Sequence, residues 1–220
     1  MDTESATPDR HGRHRLLHRL LLDKPSGPPP PLPAIPAPFE VRVADDDEAA
    51  QDADLVSEWM SRPHLVSTWE QPWTADRWRA DWRAKKESGY AVPLIVHFEH
   101  TPAAYVELYR PHRDEIGLCY LSAPSDLGFH IAVGSSQLTG RGIFSRFVGL
   151  LAPALLAADP TCELLVADPD YRNVPAQTTL RKTGWCDCGE IQQRPGRRVR
   201  LFMYPADGVD PAQRTDMAPE

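Results

Sequence analysis

The chain of 220 residues is short of lysine, cysteine and long hydrophobic runs, and each shortage excludes something. Of its 24 basic residues only Lys24, Lys85, Lys86 and Lys182 are lysines, and the net charge is −7. No general nucleic-acid binding is expected from that balance, and the preference for arginine reads as genome composition. Four cysteines, at positions 119, 162, 186 and 188, include no CxxC pair and are too few for a disulfide scaffold, which fits a reducing cytoplasm. Cys186 and Cys188 alternate onto one strand face, an arrangement that suits packing better than zinc, so no metal is expected. The apolar run Leu16 to Leu22 is broken by His18 and Arg19 and has no small-residue cleavage site, which argues against a signal peptide. No run reaches transmembrane length, and no internal repeat is visible.

Proline, by contrast, is plentiful. Eight prolines fall between Pro25 and Pro38, removing backbone donors and favouring an extended polyproline conformation. Residues 1–38 are therefore expected to be a disordered or loosely docked extension, with a marginal amphipathic helix around Leu16, Leu17, Leu20 and Leu21. Residues 205–220 are polar and read as a flexible tail. One folded domain is left, at 39–204, large enough to bury a core without metals or disulfides.

Within it, Phe39–Val43 alternates as a strand, and Asp45 to Asp47 can start a helix running to about Trp59. Thr74 caps a second helix with Trp78 and Trp82 at i,i+4 spacing. Tyr90–Phe98 and Ala103–Tyr109 form a predicted hairpin. Asp126–Val133 reads as a strand, a largely buried helix is expected from Ile143, and Glu163–Ala167 is a buried strand. A helix follows Asn173, and two strands end the domain, Trp185–Ile191 and Arg198–Tyr204. The order β-α-α-β-β-β-α-β-α-β-β is mixed α/β and is not doubly wound.

The strand, loop and helix at 126–158 organise the chain. Gln137-Leu138-Thr139-Gly140-Arg141-Gly142 places two glycines one residue apart where a helix begins, leaving N–H groups and the positive helix end open to phosphate oxygens. This hexapeptide fits the Q/R-x-x-G-x-G/A signature of the GNAT superfamily of N-acyltransferases. Further stretches, Glu58 to His64, Trp69-Glu70, Tyr105 to Tyr109, Asp126 to His130 and Asp168-Pro169-Asp170-Tyr171-Arg172-Asn173, resemble its siderophore branch. That branch includes the lysine N-acyltransferases of mycobactin assembly and, as cousins, the acetyltransferases of aerobactin and rhizobactin pathways.

The resemblance implies a GNAT acyltransferase fold, with a central, mostly antiparallel sheet splayed between its fourth and fifth strands and flanked by helices. It implies an acyl thioester donor, on coenzyme A or an acyl carrier protein, and lysine or N6-hydroxylysine as acceptor. By the same token, His130 and Asp168 flank the acceptor nitrogen, and the backbone of Ala132 and Val133 pairs with the donor arm. Residues Gln137 to Gly142 and Ile143 hold the donor's pyrophosphate. The bland alternatives are a core histidine at 130 and a cap at Asp168. Asn173 touches the donor arm or caps its helix, and Glu107 holds the acceptor or pairs across strands. Trp69, Trp73 and Tyr109 wall the acceptor pocket or belong to the core. Arg194, Arg197, Arg198 and Arg200 meet a carrier protein or form a solvated face. Two other functions stay open, an aminoglycoside or small-amine acetyltransferase and a catalytically silent binding module. The chemistry needs a neutral amine. A lysine of pKa near 10.4 is about 3.4 units from neutrality at pH 7, on the order of 4.6 kcal/mol, so a base helps unless the nitrogen is hydroxylated.

Overall fold

The structure is a computed structural model that describes residues 27–69 and 71–215. The helix expected around Leu16 to Leu22 and the Glu70 position lie outside the described residues.

Seven strands make one sheet in the order β1-β2-β3-β4-β5-β7-β6. They are β1 (Phe39–Val43), β2 (Ala91–Phe98), β3 (Thr101–Tyr109), β4 (Leu127–Val133), β5 (Leu164–Ala167), β6 (Cys186–Arg194) and β7 (Arg197–Pro205). The helices are α1 (Asp52–Met60), α2 (Pro63–Trp69), α3 (Ala75–Ser88), α4 (Ile143–Ala158), α5 (Val174–Lys182) and α6 (Ala212–Thr215). The expected order of elements is reproduced, with short helices α2 and α6 added. Local chemistry explains the boundaries of α3. The Thr74 hydroxyl accepts from Arg77 N–H, and Gly89, at φ 68°, ends the helix with its N–H on the Lys85 and Lys86 carbonyls. Glu99 and His100, both at positive φ, close the β2–β3 hairpin in two residues.

Alternation along β3 and β4 splits the interior in two. Val106, Leu108, Leu127 and Phe129 pack with Phe147, Val148, Leu151 and Leu155 of α4 and Leu180 of α5. On the opposite face Ile95, Tyr105 and Ala132 meet Val56, Trp59 and Met60 of α1 and Trp78 and Trp82 of α3. The expectation that α4 would be buried on several faces fails for a simple reason. Its outer residues are apolar only by being small, since Gly149, Pro153, Ala157 and Ala158 are exposed. Of the two hairpin cysteines, Cys186 is exposed and Cys188 half-buried, so only one of them packs.

Strand β4 pairs along six residues with β3 but with β5 at only two positions, Leu127 with Leu165 and Gly128 with Val166. This is the single parallel pair of the sheet, and beyond it the two strands no longer pair.

Both flanking segments touch the domain where they are described. Gly27 N–H donates to Pro124 O at 3.0 Å, Pro30 and Pro33 are buried, and Ile35 packs on the core. At the other end Arg214 donates to Leu121 O at 2.6 Å and pairs with Glu163 at 2.9 Å. Composition pointed outward in both places. Proline, however, docks at little entropic cost because its backbone is already restricted.

Candidate active site

Beyond the last β4–β5 pair the two strands part, and side chains of β3 and β4 on the sheet face toward α1–α3 gather beside the parting. Cross-strand register puts Glu107 of β3 opposite His130 of β4, and Tyr109 opposite Gly128. A Cβ on Gly128 would lie 2.5 Å from the Tyr109 ring, so glycine there lets the ring cross β4 and stack on His130, with centroids 4.6 Å apart at 22°. Asp168, one residue past β5, accepts from the Tyr109 hydroxyl at 3.0 Å and lies 3.2 Å from His130 Nε2 through the same oxygen, Oδ1. Its Oδ2 accepts from Gln193 Nε2 at 3.3 Å, and Gln193 Oε1 in turn accepts from Arg197 at 2.8 Å. The His130 side chain is 31% exposed and that of Asp168 only 1%, so the imidazole is the reachable member of the pair.

On the other edge of the imidazole, Glu107 Oε1 lies 4.0 Å from His130 Nδ1. Burial by itself would lower the His130 pKa. The Asp168 hydrogen bond and the charges of Asp168, Glu107 and Asp114 outweigh it, so the pKa is raised above the ordinary histidine value. Burial pushes Asp114 up to about 6, with the charge of Asp168 adding to the rise. For Glu107 burial acts upward, but Lys85, His130 and the Tyr105 hydroxyl hold the carboxyl below its usual range. Three acids thus surround one half-open histidine, a setting that favours a cationic acceptor.

Trp69 stands edge-on to both His130, at 6.0 Å, and Tyr105, at 5.7 Å, and its indole N–H donates to Ile131 O at 3.3 Å. It belongs to the wall of the cleft. Trp73 does not: its ring packs on Trp78 at 4.8 Å and under Arg77 at 4.2 Å, in the second core cluster. Asn173 caps α5 by accepting from Ala176 N–H at 3.2 Å. The hairpin arginines are engaged rather than free. Arg194 pairs with Glu115 at 3.0 Å, Arg198 with Glu190 at 3.4 Å and Arg200 with Asp187 at 2.8 Å, which removes most of the expected basic face.

The far end of β4 and the glycine turn are built differently. Gly134 N–H donates to Ala103 O at 2.9 Å, so alternation turns the polar groups of Ala132 toward β3 and those of Ile131 and Val133 toward the open edge. The polar groups left on the open edge are therefore those of Ile131 and Val133, and those of Ala132 are committed to the sheet. His64 Nε2 also reaches Val133 O, at 3.0 Å. Ser136–Leu138 forms a short 3-10 turn, with Gln137 exposed and Leu138 half-buried, and the Thr139 hydroxyl donates to Ser136 O at 2.7 Å. Gly140 and Gly142 have φ of 72° and 76°, and a Cβ at either would meet nothing within 4 Å. Conformation, not crowding, demands glycine here. Arg141 is exposed, and the first-turn N–H groups at Ile143 have no helical partner, which suits phosphate. An open groove of about 520 Å³ adjoins, lined by Arg62, Pro63, His64, Ser135, Ser136 and Gln137. Among the described residues no group of three or more His, Cys, Asp and Glu could hold a metal ion, and no helix is long and apolar enough to cross a membrane.

Sequence reasoning missed Lys85, Asp114 and Gln193, and gave Arg197 only as part of a basic hairpin. For Lys85 the one local signal was Asp81, which lies one helical turn before it.

A family profile described as an acetyltransferase (GNAT) domain matches residues 48–193, which takes in the glycine turn and the His130–Asp168 pair. The chain belongs to that family and is an enzyme of the transferase class. Within it, the chain is 38% identical to a lysine N-acyltransferase MbtK from Mycobacterium sp. (strain MCS), over 86% of this chain and 76% of the relative. It is 34% identical to MbtK of Mycobacterium tuberculosis, over 80% of each chain. An aminoglycoside acetyltransferase AAC(6')-Ib solved with coenzyme A superposes with a TM-score of 0.66 at 19% identity, covering 76% of this chain and 94% of that one; this is a likeness of fold.

Proposed function

We propose that the protein transfers an acyl group from a thioester to the side-chain amine of lysine or N6-hydroxylysine, as a step of hydroxamate siderophore assembly of the mycobactin type. The observation that carries the reading is His130, half-open and held between Asp168 and Glu107 in a cleft of three acids. The kinship with MbtK supports the acceptor.

The donor, acyl-CoA or an acyl carrier protein, lays its arm along the open edge at Ile131 and Val133. Its phosphates sit on the N–H groups of Gly140 to Ile143, with Gln137 to Thr139 forming the turn. The acceptor nitrogen lies against His130 and attacks the thioester carbonyl directly: a C–N bond forms, the C–S bond breaks, His130 takes the amine proton, and the leaving sulfur is reprotonated. Asp168, fixed by Tyr109 and Gln193, orients the imidazole and holds its proton. Trp69 flanks the acceptor, and the buried Tyr109 ring backs the imidazole. Asn173 and Trp73 support the frame.

Thioester consumption assayed with lysine, N6-hydroxylysine and aminoglycosides tests this reading. Turnover confined to the first two is expected. Turnover only with aminoglycosides, or none with any acceptor, overturns it.

A further inference from the structure

An unbroken set of buried side chains runs from α3 to His130. Trp82 Nε1 donates to the Tyr105 hydroxyl at 3.1 Å, and that hydroxyl donates to Glu107 Oε2 at 3.1 Å. Lys85 Nζ donates to the same oxygen at 2.6 Å and lies 2.6 Å from Asp81 Oδ2 on its other side. Lys85 is 9% exposed, whereas its neighbour Lys86 reaches outward to the Ala44 carbonyl at 3.0 Å. A buried ion pair adds little stability compared with apolar side chains of the same volume, so the fold alone gives no reason to bury Lys85. Its position gives one. With Oε2 clamped, Oε1 is the atom left facing His130 Nδ1, at 4.0 Å.

We propose that Lys85 is a positioning residue for the reaction: by holding and partly neutralising Glu107 it fixes the carboxylate beside His130 Nδ1 and limits how tightly the imidazole keeps its proton. This rests on the reading of His130 as the proton acceptor. The groups that face the imidazole are Glu107 and Tyr109 from β3, Asp168 from the end of β5, Asp114 from the 111–118 segment and Trp69 from α2. With Asp168 at Nε2, a second uncompensated carboxylate would keep His130 protonated well into the alkaline range, where it cannot accept a proton. Lys85 offsets that second charge, and the Tyr105 hydroxyl keeps the carboxylate from turning.

The test is NMR titration of the His130 ring in the full chain, beside the pH–rate profile with N6-hydroxylysine, whose nitrogen needs no base to become neutral. Glu107→Gln should lower the His130 midpoint by about one pH unit, and Lys85→Met should raise it by roughly half a unit or more. Lys85→Arg should return it close to wild type, and the limb of the rate profile should move by the same amounts. A merely structural Lys85 would shift melting without moving the midpoints in opposite directions. Midpoints that stay put or move the same way in both variants overturn the proposal. If Lys85→Met does not fold, Lys85→Gln, which also removes the charge, is read beside Glu107→Gln by the same criteria. Near-normal turnover by His130→Ala would instead overturn the proton-acceptor reading, independently of the titration.

Discussion

The two ends of the cleft are made of different material. On the proposed reading the donor end is backbone: two glycines at positive φ, the first turn of α4 and the open edge of β4. The proposed acceptor end is side chains, His130, Asp168, Glu107 and Tyr109, drawn from three strands and held by partners from a fourth strand and from α3. Backbone sites tolerate change in side chains and fail when the chain cannot take the conformation. Side-chain sites tolerate shifts of backbone and fail when one functional group is lost. Mutations at the two ends should therefore separate binding from turnover.

The largest effect is expected at the acceptor end. His130→Ala and Asp168→Asn should each lower kcat with lysine by about 10²- to 10⁴-fold while donor affinity, read by calorimetry, stays near wild type. With N6-hydroxylysine the loss should be smaller, because less proton handling is needed. Equal losses with both acceptors would break the link between His130 and the amine proton. Melting carries its own signature. Because the folded pKa of His130 is raised, its charged form stabilises the fold fully below the unfolded value near 6.5, and that contribution fades as pH rises through the folded value. His130→Ala should abolish that alkaline decline.

At the donor end Gly142→Val should do the reverse. A β-branched residue at φ 76° costs on the order of 1–2 kcal/mol, and the loop is expected to relax away from its turn. Donor affinity should fall about tenfold or more with kcat at saturating donor nearly kept. Unchanged donor binding would reduce the glycine pair to an ordinary turn.

The smallest effect concerns what the acceptor side leans on. Arg110 follows Tyr109 directly and is fully buried. Its guanidinium donates to Pro28 O at 2.8 Å, Ser125 O at 2.7 Å and Asp159 at 2.8 Å. We propose that residues 27–38 belong to the folded unit, which the sequence placed at 39–204. Against the full chain, removing 1–38 should cost about 1–3 kcal/mol through the lost partner of a charged donor. Equal melting of the two would restore the boundary at 39.

By itself the sequence determined the order of elements, the hairpin, the Thr74 cap and the glycine turn, because period, capping and backbone freedom are local properties written in neighbouring residues. Resemblance to a known family also pointed to His130 and Asp168. Tertiary structure decided the rest. Lys85 looks like any lysine of a charged helix until α3 is laid on β3. Gln193 looks like part of a polar hairpin until β7 pairs with β5 and brings β6 along. The amides of Ala132 face β3 and those of Ile131 the edge because strand pairing fixes their direction, and Asn173 caps a helix while the Trp73 ring packs on Trp78. The docked prolines follow the same logic: composition measures how little order costs a segment, and only the folded surface shows whether it has somewhere to bind.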